Sequence, residues 1–190
     1  MAINPMLTPS EFLAFERTQH DAKHEYLNGQ ITAMGGASEA HNLIVWNILA
    51  SLHGQMRGRP CRSYGSDMRV KVPASGLYTY PDIAALCGEP EFEDDAFDTL
   101  LNPGVIIEVL SPSTEAYNRG AKFAHYRSIE SLQTYVLIAQ DVPHIELFER
   151  QPDGRWLLSE VKGLDASVSL ETVGCDLELE AVYERVIQLS

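Results

Sequence analysis

The stretch Val105-Ile106-Ile107-Glu108-Val109-Leu110 decides how the chain is expected to fold. Five of its six residues are aliphatic, which is typical of a strand covered on both faces of a sheet. Glu108 is the exception, because a charged carboxylate left unpaired in such a place costs several kcal/mol. It must therefore be protonated, paired with a cation or bound to a metal ion. A structural ion pair with Arg or Lys, a backbone cap and a functional site all remain open at this point.

A second acid stands at the start of another apolar run. Asp82 precedes Ile83-Ala84-Ala85-Leu86 and directly follows Tyr80-Pro81, and proline is accepted at the first residue or at the edge of a strand. If the two strands are neighbours, Asp82 and Glu108 can bring their oxygens together. Their mutual repulsion would then favour a divalent cation, and oxygen ligands without a Cys/His cluster favour magnesium or manganese over zinc. Such an ion polarises a phosphoryl oxygen and activates a bound water.

The rest of the chain alternates between helical and strand patterns. Thr8-Pro9-Ser10-Glu11 is a capping box that opens a helix through about His20, and Asn28-Gly29-Gln30 predicts a hairpin between two short strands. The other predicted elements are helices at Ala40 to about Met56, Asn118 to about Arg127 and Glu180 to Val186, and strands at Cys61–Tyr64, Met68–Val72, Asp82–Leu86, Val105–Leu110, Thr134–Ala139, His144–Glu149 and Trp156–Val161. This order predicts an α/β (α+β) fold with a mixed central β-sheet flanked by helices. With no repeat or linker, residues 1–190 are expected to form a single domain.

The charge balance opposes tight binding of nucleic acid through bulk electrostatics. The 190 residues carry 14 basic and 27 acidic side chains, a formal net charge of −13. Much of the acid lies in residues 89–98 and 165–184, so a local basic surface is still possible in the middle of the chain. The basic residues there are Arg57, Arg59, Arg62, Arg69, Lys71, Arg119, Lys122 and Arg127.

Cysteine usage and hydropathy predict a cytoplasmic protein. Cys61, Cys87 and Cys175 are far apart and lack the paired spacing of a zinc or redox motif, so they are expected to be reduced structural thiols. The N-terminal sequence lacks a basic segment followed by an apolar run, and no apolar stretch approaches membrane-spanning length. We therefore expect no membrane contact.

Three motifs together resemble a known family. They are Tyr80-Pro81-Asp82, then EVLSPST at 108–114, then NRGAK at 118–122 with Tyr126. The combination resembles the Uma-type branch of the PD-(D/E)XK, or restriction-endonuclease-like, superfamily, and the likeness extends roughly from Thr8 to Tyr183.

The resemblance implies a restriction-endonuclease-like fold and assigns roles to individual residues. Asp82 and Glu108 match the two metal-binding acids, with Mg²⁺ as the ion and Mn²⁺ as its substitute. The superfamily pattern places a lysine two residues after the second acid, where this chain has Leu110. In the Uma-type branch the lysine role moves to the following helix, which matches Lys122. Its ammonium would orient the attacking water or stabilise charge on the phosphate.

Further positions have weaker assignments. Glu25 matches a carboxylate of the family and is either an additional metal ligand or a solvated acid at a strand end. Tyr126 lies on the same helix face as Lys122 and either steadies that side chain or packs in the core. His41 and Asp67 also fall on family-like positions, but we interpret both as structural. Asn118 stands where the family commonly has an acid, which either weakens the placement of the lysine or changes a helix cap.

The leading functional hypothesis is a metal-dependent endonuclease that hydrolyses DNA phosphodiester bonds, with Asp82, Glu108 and Lys122 as the catalytic residues. Such an enzyme is expected to act on DNA, and a homodimer would cut both strands. A non-catalytic nuclease-fold module for binding or assembly is one alternative, favoured by the acidic balance and Asn118. A hydrolase of another phosphate ester is the other.

Overall fold

The computed structural model describes residues 6–187. The N-terminal stretch was expected to carry no targeting signal, and its first five residues lie outside the described range. The helices are α1 Pro9–Glu16, α2 Glu39–Met56, α3 Glu115–Tyr117, α4 Phe123–Tyr126 and α5 Leu179–Val182, with a π-helical turn at Asn118–Lys122. The strands are β1 His24–Leu27, β2 Gln30–Ala33, β3 Cys61–Gly65, β4 Arg69–Val72, β5 Leu77–Thr79, β6 Ile83–Cys87, β7 Thr99–Leu100, β8 Val105–Leu110, β9 Thr134–Ala139, β10 His144–Arg150, β11 Trp156–Lys162, β12 Ser167–Leu170 and β13 Cys175–Glu178. None of the helices within 6–187 has the length and hydrophobicity that crossing a membrane requires.

Two larger sheets organise the strands. The six-stranded sheet has the order β11-β10-β9-β8-β6-β3; β8 and β9 run parallel, and the other neighbours run antiparallel. The five-stranded sheet has the order β2-β1-β5-β4-β7, and β12 and β13 form a separate pair. The predicted mixed sheet flanked by helices is thus confirmed, but the five-stranded sheet and four strands, β5, β7, β12 and β13, were missed. Those strands have two to four residues, too short to display an alternating pattern.

The six-stranded sheet separates two apolar cores, and β8 contributes to both. Val105, Ile107 and Val109 face one core, where α2 packs with the fully buried side chains of Ile44, Ile48 and Leu52. Alternate residues of the same strand, Ile106 and Leu110, face the other core, with the strands of the five-stranded sheet and the helix that ends at Tyr126. Because side chains of a strand alternate between faces, Glu108 points toward this second core.

Local signals at the N-terminus produce the expected structures. Thr8 Oγ1 accepts from the backbone N–H of Glu11, and the Glu11 carboxylate accepts from that of Thr8, which is the predicted capping box. The helix ends at Glu16, four residues before the predicted His20. The Asn28-Gly29 turn is the two-residue loop of a hairpin, with the positive φ angles of 51° and 85° that such turns require.

The prediction for the cysteines is wrong for two of the three. Cys61 and Cys87 form a disulfide between β3 and β6, whereas Cys175 is a buried free thiol as expected. The antiparallel register places Cys61 directly opposite Cys87, although 26 positions separate them in sequence. Sequence spacing does not reveal such a pairing, because strand register sets it.

The packing of α2 leads to a stability prediction. Leu52→Ala removes a fully buried side chain and is expected to lower the free energy of unfolding by about 2–5 kcal/mol, through lost transfer energy and a residual cavity. Trp46→Ala on the same helix removes a side chain that is 71% exposed and should change it by about 0.5 kcal/mol or less. Urea denaturation followed by far-UV circular dichroism measures both. Equal effects would contradict this packing of α2.

Candidate active site

The pairing of β6 with β8 brings the two predicted acids together. Ile83 lies opposite Ile107 in this antiparallel pair, so Asp82 and Glu108 occupy the next opposed positions. Asp82 Oδ2 accepts a hydrogen bond of 2.7 Å from the backbone N–H of Val109, which fixes the carboxylate against β8. The condition that the sequence left open, that these strands are neighbours, is met.

Glu108 is buried and paired with two side chains of the following helical segment. Its side chain is only 4% exposed; Lys122 Nζ lies 2.8 Å from Oε1, and the Tyr126 hydroxyl donates to the same oxygen at 2.9 Å. Burial raises the pKa of Glu108 to about 7, Lys122 opposes this effect and the nearby Asp82 adds to it. Both the ion pair and the protonated state anticipated for this acid are thus accessible near neutral pH.

Lys122 enters the cluster from the π-helical turn. The turn interrupts the helical segment 115–126, and the Lys122 side chain is 4% exposed. Burial alone would lower the pKa of this ammonium, but Glu108 and Glu25 outweigh burial and raise it above its ordinary value. Lys122 therefore remains a cation, and it also lies 3.6 Å from Glu25 Oε1. Extra residues in π-helical turns are frequent at functional sites.

Glu25 reaches the cluster from the five-stranded sheet. Tyr26 lies opposite Tyr78 in the β1–β5 pair, which places Glu25 beside Thr79. The Thr79 hydroxyl donates to Glu25 Oε1, and the Tyr117 hydroxyl donates to Oε2 at 3.1 Å. Glu25 is therefore held inside the cluster, which contradicts the alternative of a solvated acid at a strand end.

Tyr126 combines the two roles considered for it. Its side chain is fully buried in the core, its hydroxyl bonds to Glu108, and its ring centroid is 5.8 Å from Lys122 Nζ. Tyr117 was missed by the sequence analysis. The sequence offered one sign of it, because Tyr117 lies five residues before Lys122, next to the same motif. Only the π-helical turn, however, brings both side chains to Glu25.

His41 and Asp67 were both interpreted as structural, but in the structure only His41 contacts a residue of the cluster. His41 lies in the first turn of α2, with Nε2 2.9 Å from Asp82 Oδ1. Burial lowers its pKa, but hydrogen bonding to Asp82 and the charge of Glu108 bring the pKa above its ordinary value. Asp67 is 96% exposed and pairs with Lys23 at 2.6 Å, outside the cluster. His41 therefore belongs with the site residues, where it orients Asp82.

Of the two alternatives for Asn118, a cap at the start of the helix that carries Lys122 is not what the structure has. The helical segment begins at Glu115, three residues earlier, and Asn118 is the buried first residue of the π-helical turn. Its carbonyl oxygen accepts from the Tyr135 hydroxyl at 3.1 Å. The backbone of this residue thus anchors the turn that carries Lys122.

The charges and donor atoms of the cluster fit a divalent cation held by few protein ligands. The cluster has three carboxylates, those of Glu25, Asp82 and Glu108, and one ammonium, that of Lys122. Carboxylate oxygens are the ligands that Mg²⁺ and Mn²⁺ prefer. Among the described residues, however, these acids do not form a set of three whose ligand atoms all lie within 4.8 Å. Binding through two carboxylates with water completing the coordination is the usual arrangement for Mg²⁺.

Half of the basic residues in the middle of the chain are neutralised by acids of the same chain. Four of the eight form ion pairs of 2.9 Å or less with carboxylates of the same chain: Arg69 with Asp98, Lys71 with Glu93, Arg119 with Glu115 and Glu146, and Lys122 with Glu108. Arg59 instead donates to the carbonyl oxygens of Val173 and Gly174. These pairs leave much less basic charge for a partner than the count of residues suggested.

The raised pKa of Glu108 leads to a prediction for the pH dependence of stability. In the folded protein this carboxyl keeps its proton up to about pH 7, whereas in the unfolded chain it ionises near 4.5. The contribution of this group to the free energy of unfolding is fully present below pH 4.5 and is lost as the pH rises through 7, a change on the order of 3 kcal/mol. Glu108→Gln should remove this loss.

Urea denaturation in the presence of a chelator, at about pH 5 and about pH 8, measures the difference. Glu130→Gln, which changes an exposed acid of a loop, is the matched control and should keep the wild-type pH dependence. An unchanged difference in Glu108→Gln would show that another group causes it.

Comparison with known proteins gives one family and two relatives. Residues 9–181 match the family model described as "Uma2: Putative restriction endonuclease". Two proteins of Synechocystis sp. (strain ATCC 27184 / PCC 6803 / Kazusa) named "Uncharacterized protein slr1290" and "Uncharacterized protein sll1609" are each 35% identical to this chain, over 179 and 168 residues. The alignments cover 94% and 88% of this chain and 92% and 94% of those proteins.

A similar fold is found among solved structures. One example is the crystal structure of "a putative nuclease belonging to DUF820" from Anabaena variabilis ATCC 29413, with a TM-score of 0.77 over 95% of this chain and 99% of that one. Sequence identity is 19%, so the likeness extends to the fold.

Proposed function

Since the chain belongs to the Uma2 family, we propose that it is a metal-dependent endonuclease that hydrolyses DNA phosphodiester bonds at the cluster around Glu108. The family and the fold support a nuclease in general terms, and the motif resemblance that first indicated them is confirmed. The reaction, its metal and its substrate are the proposed part.

The observation that carries the proposal is the buried Glu108–Lys122 pair with Asp82 beside it. A structural ion pair would need only one acid for one base. Here the carboxylates of Glu108 and Glu25 lie 2.8 and 3.6 Å from this ammonium, and the charge of Asp82 acts on it as well. An excess of carboxylates that repel one another is expected where a cation and a phosphate bind together. Perturbed acids of this kind are concentrated in functional sites.

The proposed roles follow from the contacts. Asp82 and Glu108 would hold a magnesium ion, with Glu25 assisting, and manganese would substitute. When bound, such an ion polarises a phosphoryl oxygen and lowers the pKa of a water nucleophile. Lys122 supplies a fixed positive charge for the phosphate or for that water. His41 and Tyr126 are positioning residues, since they bond to the carboxylates of Asp82 and Glu108.

The proposal predicts Mg²⁺-dependent nicking of supercoiled plasmid. Asp82→Ala and Glu108→Ala are expected to abolish it through loss of the metal, and Lys122→Ala to reduce the rate about 10²–10³-fold through loss of charge stabilisation. The chelator EDTA should stop the wild-type reaction, and Mn²⁺ should restore it.

Asp67→Ala is the matched control, because it removes an exposed acid that lies outside the cluster. It should cut DNA at the wild-type rate. All variants are purified identically, so that a contaminating nuclease would appear in every preparation. Equal cleavage by Asp82→Ala and wild type would refute the site assignment.

Two chains acting together would cut both strands of a duplex, so we extend the proposal to a homodimer. Light scattering of the protein, alone and with a short duplex, measures its mass. A single chain per duplex would oppose the dimer and leave single-strand nicking.

One observation favours a non-catalytic module as the second candidate. Each carboxylate of the cluster already has a partner within the chain: His41 for Asp82, Lys122 for Glu108, and Thr79 and Tyr117 for Glu25. A cluster satisfied in this way is stable without a metal. Titration calorimetry with Mg²⁺ and Mn²⁺ discriminates, because a non-catalytic module would release or absorb no binding heat. If metal binds and a chromogenic phosphodiester is cleaved while DNA is not, the protein is a hydrolase of another phosphate ester.

A further inference from the structure

A second set of potential metal ligands lies on the outer hairpin of the six-stranded sheet. In the β10–β11 pair, Glu146 stands directly opposite Glu160, and His144 precedes Glu146 by two residues. The period of two along a strand places all three side chains on one face. Their ligand atoms, an imidazole nitrogen and two carboxylate oxygens, all lie within 4.8 Å of one another, and they are the only such set in the described residues.

The imidazole of His144 is unsatisfied. Its Nε2 atom is buried and has no hydrogen-bond partner among the described residues, although buried polar atoms nearly always have one. Glu160 Oε1 lies 3.6 Å from Nε2, too far for a hydrogen bond. Two ligands bound tetrahedrally to one zinc ion at the usual bond lengths are about 3.4 Å apart. The spacing therefore matches two ligands of one ion better than a direct contact.

The neighbouring cations orient the two carboxylates without using all of their oxygens. Arg119 donates to Glu146 Oε2, and Lys162 contacts Glu160 Oε2 at 3.1 Å. Oε1 of Glu160 faces His144 instead. The Glu146 side chain is 8% exposed and that of His144 19%, so two of the three ligands are already withdrawn from solvent. Outer contacts of this type fix the orientation of metal-binding carboxylates.

We propose that His144, Glu146 and Glu160 bind one divalent transition-metal ion, with zinc as the reference ion. One nitrogen and two carboxylate oxygens suit zinc, and the imidazole disfavours Mg²⁺, which prefers oxygen alone. Three protein ligands leave a fourth position for water. The site shares no ligand with the cluster around Glu108, and the proposal is independent of nuclease activity.

Zinc binding to the tag-free, chelator-stripped chain tests the proposal. A competition titration against a chromophoric chelator should give one zinc ion per chain in Asp82→Asn, which lacks a carboxylate of the cluster around Glu108, and this ion should also be present in wild type. His144→Ala and Glu160→Gln should each weaken binding at least tenfold. Glu149→Gln is the matched control, because Glu149 lies on β10 but on the opposite face, and it should bind as wild type does. Asp82→Asn should also keep the affinity.

Cobalt substitution gives a second readout, since the visible absorption of bound Co²⁺ reports its coordination by nitrogen and oxygen. This spectrum should appear in wild type and Asp82→Asn and be lost in His144→Ala. If His144→Ala fails to fold by circular dichroism, Glu160→Gln at the exposed edge strand decides. Absence of zinc binding to wild type, equal affinity in Glu160→Gln, or loss of the ion only in Asp82→Asn would each overturn the proposal.

Discussion

The ion pair between Glu108 and Lys122 is the interaction on which the organisation of the site depends. Neither charge could remain in the second core alone, because isolated buried ions cost far more than folding can supply. The 2.8 Å contact therefore ties the helical segment 115–126 to β8 and fixes which residues of that segment face inward. With Asp82 and Glu25 added, the three carboxylates outnumber the single ammonium, and this imbalance is the reason for proposing that the cluster binds a cation.

Strand register and one irregular turn place these groups. The antiparallel pairing of β6 with β8 aligns Asp82 with Glu108, and the β1–β5 pairing carries Glu25 from a different sheet to the same point. The π-helical turn then directs Lys122 and Tyr117 toward the carboxylates. The site thus lies where both sheets and the helical segment meet, and rigid elements on several sides hold its side chains.

The charges of the buried cluster and the charges of the protein surface differ in how they would act on a phosphate group. Half of the cations of the central sequence pair closely with acids of the same chain, so the protein surface remains acidic as the net charge of −13 indicates. A phosphate backbone would then be attracted chiefly through the site itself rather than by a long-range field. Arg119 bonds to Glu146 on the outer hairpin and to Glu115 of its own helical segment.

Elements with strong local signals could be predicted from the sequence: the capping box at Thr8, the Asn28-Gly29 turn, the periodicity of α2 and the aliphatic run around Glu108. Each depends on neighbours a few residues apart. The sequence also identified Glu108 as an acid that needs a partner, because the aliphatic run around it predicts that its side chain is buried. Only the tertiary structure decided what that partner is, that His41 holds Asp82, that Tyr117 holds Glu25, and that Cys61 bonds to Cys87. Those contacts join residues 14 to 92 positions apart, and strand register and the π-helical turn, which local sequence does not encode, set their geometry.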